Sequence, residues 1–157
     1  MRRLATITLT AALALGSASA AVGAKHPDPI LKGPKTNDSP ISLYQGRAYQ
    51  ASANSIRLCI RDRESNHDYR AVSRGGTYRG AYQMSAALGV GAGWMIQKEL
   101  RQTGTPNKEA VRIGKALRNH PVNQWHPYYQ QMAFWLVWDE GNGKHHWRHT
   151  VPGTGCY

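Results

Sequence analysis

Acidic residues are scarce in this chain of 157: nine Asp and Glu stand against 20 Lys and Arg, for a formal charge of +11. None falls between Asp68 and Glu99. This balance excludes an acidic, disordered activator and favours an anionic partner, without choosing between nucleic acid, anionic cell wall and phospholipid. Cysteine is limited to Cys59 and Cys156, which lack the CxxC spacing typical of structural zinc sites. Phe occurs once, against eight Tyr and five Trp. Those aromatics carry polar handles and serve a wet binding face as well as a core. Beyond the N-terminal stretch, no apolar segment is long enough to cross a bilayer. A helix-turn-helix signature, a ribonucleoprotein aromatic motif and metal-nuclease spacing are also missing. The length leaves room for one domain of ordinary size.

What is present begins with Met1-Arg2-Arg3, an apolar run over residues 4–15, and the small residues Ala18-Ser19-Ala20. Residues 1–20 read as a secretory signal cleaved after Ala20, with Ala24 as a second site and a buried N-terminal helix as the competing reading. The expected location is extracellular and cell-wall associated, without a transmembrane segment. Export permits Cys59 and Cys156 to form one disulfide; two free thiols or a metal site are the alternatives.

Residues 21–50 carry Pro27, Pro29, Pro34 and Pro40 without any apolar period and read as a Pro-rich linker or N-terminal extension. Residues 51–157 form the domain. Asn54 or Ser55 caps a helix with Ile56, Cys59, Ile60 and Arg63 on one face, running out near Ser65-Asn66. Residues 70–83, broken by Gly75-Gly76, read as irregular or short β structure. A helical stretch from Ser85 is interrupted at Gly89, Gly91 and Gly93 and resumes through Trp94, Ile96 and Leu100. Another opens at Thr105-Pro106 and presents Ala110, Ile113, Gly114 and Leu117 on one face. A last helix runs from His126-Pro127 to about Glu140 and ends at Gly141-Asn142-Gly143. The fold class is α+β, mostly helical, with a small β element.

The segment richest in chemistry is Cys59-Ile60-Arg61-Asp62-Arg63-Glu64-Ser65-Asn66-His67, continued by Tyr78-Arg79-Gly80-Ala81-Tyr82-Gln83. Glu64 ends an apolar-faced helix, where a carboxyl partly withdrawn from water can serve as a general acid. Gly80-Ala81 admits close approach of backbone, and Gln83 offers a donor and an acceptor of the kind an N-acetyl sugar requires. Tyr69, Tyr78 and Tyr82 are candidate cleft aromatics, one of them expected to be a core residue. Trp147 is either a sugar-stacking or a core residue. His145, His146 and His149 form the one metal-like pattern, but no metal site is expected.

A Cys, Glu-Ser five residues on, and a Gly-rich stretch ending in Gly-Ala-Tyr-Gln resemble the lysozyme-like superfamily. The likeness is nearest to small secreted actinobacterial transglycosylase-like proteins related to resuscitation-promoting factors. It covers roughly residues 55–83, and more loosely the region from Trp135 to Cys156. It implies a lysozyme-like fold, with Glu64 as catalytic acid and Gln83 lining a sugar cleft; Tyr82, Tyr78, Ser73 and Trp94 are the further residues expected to bind substrate. Where family members often carry Ser-Thr-Trp after the Gln, this chain reads Met84-Ser85-Ala86-Ala87-Leu88-Gly89. Where animal-type lysozymes place a second carboxylate, it has Thr77, Tyr78 and Arg79.

Glycosidases normally use two carboxylates. With Glu64 alone, the expected route is protonation of the β-1,4 MurNAc–GlcNAc oxygen, assisted by the substrate's N-acetyl group. Lytic transglycosylation or muramidase hydrolysis then follows. Asp68, Asp139 and Glu140 are the candidate second carboxylates; Asp62, about 160° around the helix from Glu64, is less suited. The expected partners are peptidoglycan glycan strands and anionic wall polymers, with no nucleic acid and no cofactor, and the chain is expected to be a monomer. The competing function is a non-catalytic glycan-binding module on the same fold.

Overall fold

The computed structural model describes residues 26–30, 35–36, 39–139, 143–147 and 156. The expected signal segment, Glu140 and His149 lie outside the described residues. Among the described residues five helices and a two-stranded sheet order as α1 (Asn54–Ser65), β1 (Tyr78–Arg79), β2 (Met84–Ser85), α2 (Ala86–Gln102), α3 (Asn107–Arg118), α4 (Pro127–Asp139) and α5 (Gly143–His146). Short 3₁₀ turns, Ala51–Ala53 and Val122–Gln124, precede α1 and α4. This is the expected mostly helical α+β class, with a disulfide joining Cys59 to Cys156. No described helix is long and apolar enough to cross a membrane.

The central element is α4, whose residues 129–137 are all buried. A helix without a wet face belongs in the middle of a core, and here Tyr82, Trp147, Trp135 and Trp138 pack around Phe134. Helices α2 and α3 pack face to face, with the expected Ala110, Ile113, Gly114 and Leu117 buried.

Three expectations need correction. First, the glycines of α2 do not interrupt it. A Cβ on Gly89 would meet Val122 at 2.7 Å and one on Gly93 would meet Arg118 at 2.7 Å, so these positions let neighbours approach a continuous helix. Second, α1 is rotated by one residue: it buries Arg57, Ile60 and Arg61, while Ile56 and Cys59 are half-buried and Arg63 is exposed. Third, of the two readings of residues 21–50, the described stretch 39–50 packs on the domain as an extension and is not a linker. Tyr44 and Ala48 are buried, and Tyr44 Oη donates to Glu99 Oε1 at 2.7 Å while Arg47 Nε donates to Glu99 Oε2 at 3.0 Å. Polar anchoring of this kind leaves no apolar period to read.

Candidate active site

The rotation of α1 is what places Glu64. Arg57, Ile60, Arg61 and Glu64 step at i, i+3, i+4 and i+7, so Glu64 ends the inward stripe; it is half-buried. Arginine can occupy that stripe because its stem is apolar and its head finds acceptors. Arg57 donates to Asn54 Oδ1, Tyr82 Oη and Pro40 O at 2.9, 3.2 and 3.2 Å. Arg61 donates to Tyr69 Oη at 3.1 Å, while its Nε is buried without a partner among the described residues.

The helix closes through two left-handed residues, Asn66 (φ 51°) and His67 (φ 64°). Their N–H groups return to Asp62 O and Arg61 O, satisfying carbonyls that a helix end leaves open. The reversal brings His67 Nε2 to 3.2 Å from Asp62 Oδ1. That pairing crosses the helix end and is not visible on a helical wheel.

Beyond the reversal, β1 and β2 pair antiparallel, Tyr78 opposite Ser85 and Arg79 opposite Met84, and residues 80–83 form the connecting loop. Gly80 has φ 79°, and a Cβ there would meet Gln130 Oε1 at 2.5 Å and Val122 Cγ1 at 2.9 Å, so glycine is required twice over. Ala81, fully buried, is held at both ends: its N–H donates to Gln130 Oε1 at 2.9 Å, and its carbonyl accepts from Ser65 Oγ at 3.0 Å. Gln130 also donates through Nε2 to Tyr69 O and Trp125 O. The helix end bearing Glu64 is thereby fastened to the loop bearing Gln83. Gln83 itself is left-handed (φ 44°), with Nε2 donating to Gly80 O at 2.9 Å. A non-glycine residue in that region costs on the order of 1–3 kcal/mol, and such residues cluster at functional sites.

The other site residues separate into three groups. Tyr78, 49% exposed, offers a ring from β1, and Ser73 positions it: Ser73 Oγ accepts from Tyr78 N at 3.0 Å. Tyr82 is not a cleft aromatic. It is 1% exposed, its ring lies 4.7 Å from that of Phe134, and burial pushes its phenol well above the ordinary range. Tyr69 and Trp147 are likewise core, with Trp147 Nε1 donating to Tyr82 O. Trp94, 56% exposed, stands about 12 Å along α2 from the helix start, under the Arg118 guanidinium at 3.5 Å.

Two of the candidate second carboxylates, Asp68 and Asp139, are engaged elsewhere. Asp68 accepts from Arg70 N and pairs with Lys35, and Asp139 accepts from Gln50 Nε2. Among the described residues no cluster of three or more His, Cys, Asp or Glu could hold a metal.

Sequence reasoning missed Gln130, Gln131 and the buried arginines. The signal for the glutamines was a polar pair set against the apolar stretch that follows it in α4. Gln131 Oε1 accepts from Leu43 N and Ser42 Oγ, and its Nε2 donates to Tyr69 Oη. Compared with known protein families, curated proteins and solved structures, the chain matches none.

Proposed function

We propose that the protein is a secreted cell-wall enzyme of lysozyme-like fold that cleaves the β-1,4 MurNAc–GlcNAc bond of peptidoglycan with Glu64 as its acid. The observation that carries this reading is the fastening of Glu64 to Gln83 through the Ser65–Ala81 hydrogen bond. A half-buried carboxyl at the end of a buried stripe, beside a strained amide-bearing loop, suits an acid and a group that reads an N-acetyl sugar. The exposed ring of Tyr78 suits stacking on a sugar face, the net positive charge suits an anionic wall, and the disulfide suits an oxidising compartment.

In this reading the Glu64 proton passes to the glycosidic oxygen as the C1–O bond breaks, and the substrate's N-acetyl oxygen closes on C1. The Glu64 carboxylate next takes a proton from the muramic C6 hydroxyl or from water as that oxygen bonds to C1 and the C1 bond to the N-acetyl oxygen breaks, giving a 1,6-anhydro sugar or a reducing end. One carboxylate thus serves as acid and then as base.

The test is release of soluble fragments from purified peptidoglycan by the disulfide-intact protein. Glu64→Gln is expected to lower the rate by roughly 10²–10⁴-fold with the fold retained. Tight glycan binding with no release by wild type would mean a non-catalytic glycan-binding module.

A further inference from the structure

Between the β hairpin, the start of α2 and the end of α3 lies a groove of about 330 Å³. Arg79, Arg118 and His120 line it together with the apolar Met84, Val90 and Val122, and among the described residues no carboxylate does. Arg79 faces Met84 across the sheet, and among the described residues its guanidinium has no hydrogen bond or ion pair. Among the described residues Arg118 has only uncharged partners: the Trp94 ring, Gln97 Oε1 at 3.0 Å and Gly93 O at 3.5 Å. His120 uses Nδ1 on Ala116 O at 2.8 Å, which leaves Nε2 for another group.

Two arginines whose guanidinium groups have no acid partner among the described residues line this partly apolar groove, a composition that suits carboxylates carried on small apolar groups. Met84 and Ser85 directly follow Gln83, so the groove opens beside the loop assigned to the sugar. We propose that this groove binds the carboxylates of a short peptide with alanine-type methyl groups, its carboxylates meeting Arg79 and Arg118 and its methyls meeting Met84, Val90 and Val122. Such a peptide hangs from the muramic sugars of peptidoglycan; this identification of the ligand rests on the function proposed above.

The test is equilibrium binding of the disulfide-intact protein to a muramyl tetrapeptide with free carboxylates, to the same peptide with its carboxylates amidated, and to polyglycerol phosphate. The free acid is expected to bind about tenfold tighter than the amide, the scale of one charged hydrogen bond. Arg79→Gln is expected to erase that difference without moving the thermal midpoint. Arg118→Gln is expected to weaken that difference as well, with a fall in the thermal midpoint because it also loses its contact with Trp94. Equal binding of acid and amide by wild type overturns the proposal, as does an Arg79→Gln variant that still discriminates. Polyglycerol phosphate that competes at equal strength overturns it in favour of a wall phosphodiester. The readout is binding, so Arg79-dependent peptide binding without glycan cleavage would defeat the glycosidase reading and leave the groove assignment standing.

Discussion

Ser65 donates through Oγ to the Ala81 carbonyl at 3.0 Å, tying the last turn of α1 to the loop between the two strands. On the other side of the same residue, Gln130 accepts the Ala81 N–H at 2.9 Å. One buried alanine is therefore gripped by side chains from α1 and α4, and Glu64 and Gln83 inherit their relative placement from that grip.

Ser65→Ala leaves the Ala81 carbonyl buried without its donor, a loss of about 1–3 kcal/mol. Urea denaturation is expected to show that loss, and glycan cleavage is expected to fall as Glu64 and Gln83 lose their common anchor. Ser65→Thr, which keeps the hydroxyl, is expected to retain most of both. Unaltered activity in Ser65→Ala would detach the anchor from the chemistry.

Gly80→Ala introduces a Cβ 2.5 Å from Gln130 Oε1, at a φ of 79°. The strained backbone and the displaced glutamine together are expected to cost roughly 2 kcal/mol or more. Thermal or chemical unfolding checks this. A cost of only a few tenths of a kcal/mol would show that the loop relaxes freely.

Reduction of Cys59–Cys156 releases a constraint spanning 97 residues of sequence. The chain-entropy model sets an upper figure of about 4–5 kcal/mol for a loop of that length. Calorimetry with and without reductant is expected to show a large fall in the melting temperature, and an unchanged melting temperature would contradict this.

Acid is expected to loosen the N-terminal segment from α4. His26 contacts Thr105 Oγ1 at 2.9 Å, and His126, just before α4, accepts from Tyr128 N at 3.1 Å. Burial lowers both imidazoles from 6.5, opposed by Glu109 at His26 and by Asp28 at His126. Their folded values lie below the unfolded one, so the unfolded chain binds more protons as the pH falls below about 6.5, and stability drops with it. Melting between pH 7.5 and pH 5 is expected to show that fall. His126→Asn keeps a capping acceptor without titrating and is expected to flatten the slope; an equal slope in the variant would contradict the assignment.

The helices were legible because their apolar residues repeat at helical spacing, as Ala110, Ile113 and Leu117 do, and because Pro127 opens α4. The face of α1 was not, since a hydropathy pattern ranks Ile56 and Cys59 above Arg57 and Arg61. The arginines occupy the interior only because Tyr82, Tyr69, Asn54 and Pro40 supply acceptors from distant parts of the chain. Glu64 and Gln83 were legible as residue types at a spacing, whereas the Ser65–Ala81–Gln130 grip depends on α4, far along the chain. The groove of Arg79 and Arg118 likewise joins residues from separate elements that no local pattern connects.

The most direct measurement is mass spectrometry of the soluble fragments that the disulfide-intact protein releases from purified peptidoglycan, run beside Glu64→Gln. Muropeptides with 1,6-anhydro or reducing ends, released by wild type and lost in the variant, are the predicted result; the kind of end identifies the group that resolves C1. No fragments from wild type, or the same fragments from both proteins, would contradict the assignment of Glu64 as the acid of a glycan-cleaving site.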